Sequence, residues 1–291
     1  MNNTELKPLV SKRKKVVNAL VVTFCVLFMA FMGFLLVFPY WLQLASSLTS
    51  LDFIGKPGKI YWWPQGGIHF SNYAEAFRVG DLWQGFFNSI VVVVVSLVVS
   101  LVFAFVLGYC FGKLRFKGRD VWFWLILASM MVPGEVLLIP IYIIVDGLGV
   151  TETLTGVFLP GFINVFGVFM FRQFMHQIPD ACLEAADIDG AGELRKIFQI
   201  AFPMCRSVIL TFCIMTFTAK WNEYLWPLIV THDPSKFVIQ LKLMSFYPQF
   251  EGSGDSYLRA AALISITVPV VATYFVCQKY FLASMSISGI K

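Results

Sequence analysis

The sequence predicts an all-α, polytopic membrane protein with six transmembrane helices, and three observations carry that prediction. Of 291 residues, 58% are hydrophobic and only 13% charged, with 30 Phe, where ordinary soluble domains carry about 25% charged residues. Crossing a hydrocarbon core of about 30 Å takes about 20 mainly apolar residues. Six stretches qualify, near 17–45, 85–111, 121–145, 154–176, 203–231 and 257–282. Finally, basic residues gather in alternate connections: Lys7 and Lys12 to Lys15 (position 13 being Arg13) before the first stretch, then Lys113, Arg115, Lys117 and Arg119, then Arg172, Arg195, Lys196 and Arg206, then Lys279 and Lys291. These are 15 of the 22 Lys and Arg. Because basic loops mark the cytoplasmic side, both termini are expected there. Orientation thus accounts for the net charge of +5, and no aromatic-interleaved basic patch suggests nucleic acid as a partner.

Residues 1–16 read as a cytoplasmic basic tail and 17–46 as the first transmembrane helix. A cleaved leader has an apolar run of about 7–15 residues. The run from Val16 to Leu44 is far longer, so it reads as a retained helix. Residues 47–84 form an external loop in which Tyr61, Trp62, Trp63 and Tyr73 fit a headgroup-level aromatic belt, with contact to an extracytoplasmic partner as the alternative.

Residues 85–283 form the core. Spans two and three, joined by a short basic loop, should pack antiparallel. Span three contains MVPGEVLLIP, whose Pro133, Gly134 and Pro140 should kink it where backbone hydrogen bonds are lost. Such a break suits a gating part, although transmembrane helices also tolerate Pro and Gly routinely. Glu135 follows the break. A carboxylate in the bilayer is costly and a functional candidate by default, unless it lies at the interface.

Span five ends in TAKWNEYLWPLIV. Lys220 and Glu223, three apart, share a helix face, so a mutual ion pair is the simplest account. The sharper one is that Trp221, Asn222, Glu223 and Tyr224 line a wet path and offer hydrogen bonds and stacking to a polyhydroxylated solute. Residues 284–291 close the chain as a cytoplasmic tail.

Several classes of chemistry are not indicated. The six cysteines (25, 110, 182, 205, 213 and 277) show no CxxC spacing and none falls in a predicted external loop, so no disulfide framework or metal site is implied. His69, His176 and His232 are isolated from one another. No GxxxxGK[ST] run is present, so any ATP must be bound elsewhere.

Against this apolar background the cytoplasmic segment 177–202 is polar. EAADIDGAGELRKIFQIAFP, from Glu184 to Pro203, carries Glu184, Asp187, Asp189, Glu193, Arg195 and Lys196 around Gly190. Pro179 and Asp180 suit a helix start, with Asp180 capping free amides. A short helix over 180–188 follows, its acidic residues favoured near the N-terminal end and Ala185 and Ala186 keeping it slim. Gly190 suits a left-handed stop. A second helix from Glu193 to Pro203 then leads into span five, its apolar residues on one face. That order suggests a lever, rigidly continuous through one turn with a membrane helix; a static amphipathic loop on the bilayer is the alternative.

These residues resemble the EAA loop of ABC importer permeases, whose pattern is EAA, three residues, Gly, nine residues, then I-x-L-P. Glu184, Ala185, Ala186, Gly190, Ile200 and Pro203 match position by position. Phe202 replaces the usual Leu, and Gly192 the usual Ser or Thr, a weaker N-cap by about a few tenths of a kcal/mol. FGVFMFRQFMHQIPD upstream, WNEYLWPLIV downstream and the closing SISGIK are similar to the carbohydrate-uptake branch, over roughly residues 80 to 291.

The resemblance implies the type I ABC importer permease fold, with Asp180, Glu184, Ala185, Ala186, Asp189, Gly190, Ala191, Ile200 and Pro203 forming the element that couples to an ATPase. It implies ABC ATPase subunits that bind the ATP, a second permease chain, an extracytoplasmic solute-binding protein and a bacterial plasma-membrane location. The chain itself is expected to be no enzyme and to hold no cofactor. The function so indicated is uptake of a sugar or oligosaccharide by alternating access. A proton-coupled carrier using Glu135 and Glu223 is the competitor, although such carriers often show two related halves and no internal repeat is evident.

Overall fold

In the computed structural model residues 12–50, 53, 61–246 and 256–288 are described, and every regular element among them is helical. The long apolar runs become long helices. α1 (Lys12–Ser47) covers the first run, and no residue in its most apolar window is buried within the chain. The stretch after it is not all loop, because α2 (Ser71–Val79) forms there. Buried Asn72 ties it back, its side-chain amide donating to the carbonyls of Ser47 at 2.9 Å and Thr49 at 3.0 Å. Trp62 and Trp63 lie against Phe38 and Trp41, with ring centroids 5.3 Å apart in each pair.

α3 (Leu82–Lys113) is the central helix, 32 residues without a proline. It packs most extensively on α7 (Val165–Met175). Small residues on α3 make that approach possible: a Cβ on Gly108 would sit 2.5 Å from Phe171 Cβ, and one on Gly112 2.6 Å from Met175 Cβ. Helix pairs in membranes close through small residues in this way, because lipid supplies no hydrophobic driving force between them. Phe105, Phe171, Phe212 and Met175 form the core beside this contact.

The third span is broken, as MVPGEVLLIP predicts. α4 (Arg119–Ala128) leads through a 3₁₀ turn to Met131, and α5 (Gly134–Gly147) leaves at 104° to that segment. The break falls at Val132 and Pro133, which are extended, while Pro140 is carried inside α5. α6 (Leu154–Phe158), a 3₁₀ turn (Leu159–Phe162) and α7 make up the fourth span. Thr153 and Asn164 cap α6 and α7, each accepting from the amide of the third helical residue, Gly156 and Gly167.

α8 (Asp180–Ile188) follows, then a helical stretch over Glu193–Met204 made of α9 (Glu193–Arg195), a π-helical segment (Lys196–Ala201) and α10 (Phe202–Met204). The predicted fifth span, 203–231, is divided. α11 (Arg206–Trp221) starts after an 83° bend from Glu193–Met204 and stops at Asn222, and a short α12 (Leu225–Val230) follows. α13 (Ile239–Phe246) packs on α3, and α14 (Ser256–Ser288), which contains Pro269, lies against α1 and α2. Among the described residues four helical spans are long and apolar enough to cross a membrane, and up to six if each bent pair counts as one. The end of the SISGIK tail and the start of the basic tail fall outside the described residues.

Candidate functional site

α8 forms over the predicted 180–188, but Asp180 does not cap it. Pro179 occupies the cap position without a side-chain hydrogen bond, and the Asp180 carboxylate turns to Lys113 Nζ at 2.6 Å. The Lys113 ammonium, by that hydrogen bond first, holds the Asp180 carboxyl below the usual carboxylate range. Lys113 also donates to the Ile178 carbonyl at 2.6 Å. At the other end Gly190 adopts φ +75°. Gly190 N–H then reaches the Asp187 carbonyl at 3.0 Å and Ala191 N–H the Ala186 carbonyl at 2.9 Å. This paired closure satisfies the last carbonyls and needs a residue at home in the left-handed region.

The two alanines differ in role. Ala186 and Leu183 are buried against the body, while Cys182, Glu184, Ala185, Asp187 and Asp189 are exposed. Ile188, 87% exposed, is the most prominent apolar side chain of the hook. α8 therefore presents a slim acidic face with one apolar residue at its tip.

Lys196, which the sequence places among the surface charges, is only 6% exposed. Its ammonium meets Asp187 and Glu193, each at 2.6 Å. Glu193 in turn accepts from the hydroxyl of Tyr109, a buried residue of α3, at 3.1 Å. No sequence signal marks this group, because Tyr109 and Glu193 are 84 residues apart. The π segment starts at Lys196, includes Ile200 and ends at Ala201, with Pro203 exposed just beyond. An 83° bend after Met204 sets this stretch at an angle to α11.

Among the residues assigned to a solute path, Glu223 pairs with Lys220 at 2.9 Å, as the simpler account expects. Trp221 is 2% exposed and donates to the Ile266 carbonyl, so in this conformation it packs the core and lines no path. Asn222 is exposed and donates to the Thr218 carbonyl, and Tyr224 packs beside Trp226 and Val230. Gly161 leaves room for Lys220, whose Cε would lie 2.8 Å from an added Cβ. Buried Ser96 Oγ and Thr216 Oγ1 have no hydrogen-bond partner among the described residues. Glu135 stands exposed in the first turn of α5, away from that pair in sequence and element.

His232 is not isolated as its sequence context suggests. Its backbone N–H and ring Nδ1 meet the two carboxylate oxygens of Glu152 at 2.7 and 2.6 Å, and Asp233 N–H adds a third contact at 3.1 Å.

The described residues thus form a multi-pass helical membrane protein whose one amphipathic hook is anchored on its central helix. Residues 101–287 match the model of the binding-protein-dependent transport system inner membrane component, and the chain belongs to that family. It is 31% identical over 266 residues to the arabinooligosaccharides transport system permease protein AraQ of Bacillus subtilis (strain 168), covering 91% of this chain and 94% of that one. It is 32% identical over 268 residues to the sn-glycerol-3-phosphate transport system permease protein UgpE of Agrobacterium fabrum, covering 88% and 93%. Its fold matches a chain of a bacterial ABC transporter involved in the import of the acidic polysaccharide alginate, with a TM-score of 0.80 at 22% identity over 94% of this chain and 99% of that one.

Proposed function

We propose that the chain is the permease subunit of an ATP-driven, binding-protein-dependent importer of a sugar or oligosaccharide, and that α8 is the helix that docks on a separate ATPase. The observation that carries this reading is the exposed α8 itself, held at both ends, with its acidic face and Ile188 free for a partner. Its family membership and the transport roles named for its relatives support the same reading. Glu184, Ala185, Asp189, Gly190 and Ala191 form the docking surface and its turn, while Asp180, Ala186, Ile200 and Pro203 set its position. A second permease chain, ATPase subunits that bind the ATP and an extracytoplasmic solute-binding protein complete the assembly, in a bacterial plasma membrane with both termini cytoplasmic.

The solute path is assigned to the membrane-embedded polar group around Lys220, Glu223 and Asn222, with Tyr224 beside it and the Pro133–Gly134 break as the gating element. Alternating access then follows when α8 moves with its ATPase. The carrier reading needs Glu223 free to exchange protons, and its pairing with Lys220 does not favour it.

The test is reconstitution of the complete transporter in proteoliposomes. Glu184→Lys and Gly190→Pro are expected to leave the protein in the membrane and to abolish solute-stimulated ATP hydrolysis. Normal stimulation in both variants rejects the docking assignment.

A further inference from the structure

On the direct route from α8 into the fifth span the chain turns by 83° between Glu193–Met204 and α11. A different route is built into the side chains. α8 is fastened at both ends to one membrane helix, α3. At its N-terminal end Lys113, the last residue of α3, donates to the Ile178 carbonyl and to Asp180, both at 2.6 Å. At its C-terminal end Asp187 is bonded to Lys196, Lys196 to Glu193, and Glu193 to Tyr109 of α3. Tyr109 and Lys113 are four apart, so they project from one face of the helix. The three hub side chains are protected from water: Tyr109 is 1% and Lys196 6% exposed, and the Lys113 side chain 8%.

The other end of α3 is fastened as well. Asn88, 2% exposed, donates to the carbonyls of Ser235 and Phe237, both at 2.9 Å. Ser89 Oγ accepts from Ile239 N–H at 2.8 Å, and Asp81 at the start of the helix meets Lys242 at 2.6 Å. Between the two sets of ties α3 is unbroken. Its 32 residues reach about 48 Å at about 1.5 Å per residue, the thickness of the bilayer with its headgroups.

We propose that α3 is the strut that carries the displacement of α8 across the membrane to the external segment 234–242, and that Lys113 and Lys196 are the positioning residues that fasten α8 to it. This rests on the docking reading above. Turning or tilting α8 moves α3 as a rod, because the shared ammonium groups leave no free hinge at Ile178 or Gly190.

The experiment uses the full reconstituted transporter and reads basal ATP hydrolysis, hydrolysis stimulated by solute-loaded binding protein, and solute taken up per ATP. The Lys113→Met/Lys196→Met double variant is expected to assemble with the ATPase and keep basal hydrolysis, while stimulation and uptake per ATP fall at least tenfold. Lys196→Arg, in the background with Lys113 intact, should retain more than half of both. Wild-type stimulation in the double variant overturns the proposal. Asn88→Ala lies at the far end of α3 and touches nothing in the hook, so it guards against a double variant that fails to assemble. It should lower stimulation with basal hydrolysis unchanged, and unaltered stimulation counts against the strut. Glu184→Lys separates the two layers. If it abolishes stimulation while the double variant and Asn88→Ala behave as wild type, docking stands and the strut falls. If Glu184→Lys and Gly190→Pro are both without effect, the docking reading fails first.

Discussion

Glu152 occupies the left-handed region at φ +60°, a conformation that costs a side-chain-bearing residue energy and persists only when its surroundings hold it there. Here the holding groups are visible, two from His232 and one from Asp233, and its own N–H donates to the Val230 carbonyl at 3.0 Å. Together they staple the turn after α5 to the turn after α12. The His232 backbone N–H contributes most to lowering the Glu152 carboxyl pKa, followed by the His232 ring. A carboxyl whose folded pKa is depressed stabilises the fold fully above its unfolded pKa, near 4.3 for Glu, and loses that contribution as pH falls through the lower folded value. Thermal melts of the purified protein at about pH 8 should therefore show a penalty for Glu152→Gln, and that penalty should be lost in acid below about pH 4. Glu152→Ala should melt below Glu152→Gly, since both lose the carboxylate but only alanine keeps the backbone strain. Equal melting of the two would mean that φ is not under tension.

Helix α3 shows what one element must satisfy when both ends and one flank are engaged. Its flank on α7 leaves no room at Gly108, where an added Cβ would lie 2.5 Å from Phe171 Cβ and 3.1 Å from Arg172 N. Overpacking of a closed interface costs about 1–3 kcal/mol. Gly108→Ala should lower the melting midpoint accordingly, whereas Gly33→Ala in α1, with nothing within 4 Å, should leave it unchanged or raise it by helix propensity alone. The comparison is a pair of melts in the same detergent. The same helix explains which parts were legible from sequence. Its apolar length, the Pro133–Gly134 break, α8 and the Gly190 turn are all local properties, written in composition, ring constraint and glycine freedom. The Tyr109–Glu193–Lys196–Asp187 group and the Glu152–His232 staple join residues distant along the chain, and a charged letter in a polar stretch says nothing about whether its ammonium is solvated. The 83° bend escaped for a related reason: it falls at Met204 to Arg206, where no glycine marks a turn and Pro203 alone reads equally as the entry to a continuing helix.

For the molecule as a whole, the division of labour follows from what the chain carries and from its family. In vesicles with a proton gradient and no ATP, this chain alone should take up no solute; uptake at a rate dependent on Glu223 would instead favour the carrier reading. α1 has none of its most apolar window buried by the rest of the chain, so lipid or another apolar surface must meet it. α8, by contrast, is polar and largely exposed, and it carries Cys182 on its exposed side. The other exposed cysteine, Cys25, lies inside the apolar α1. A membrane-impermeant maleimide applied to the isolated permease in open membrane fragments should therefore label Cys182 fastest, and under the docking proposal assembly with the ATPase should shield it. Labelling before and after assembly becomes a footprint of subunit docking that requires no engineered residue, and its dependence on bound nucleotide would time the release of the hook within a single transport cycle.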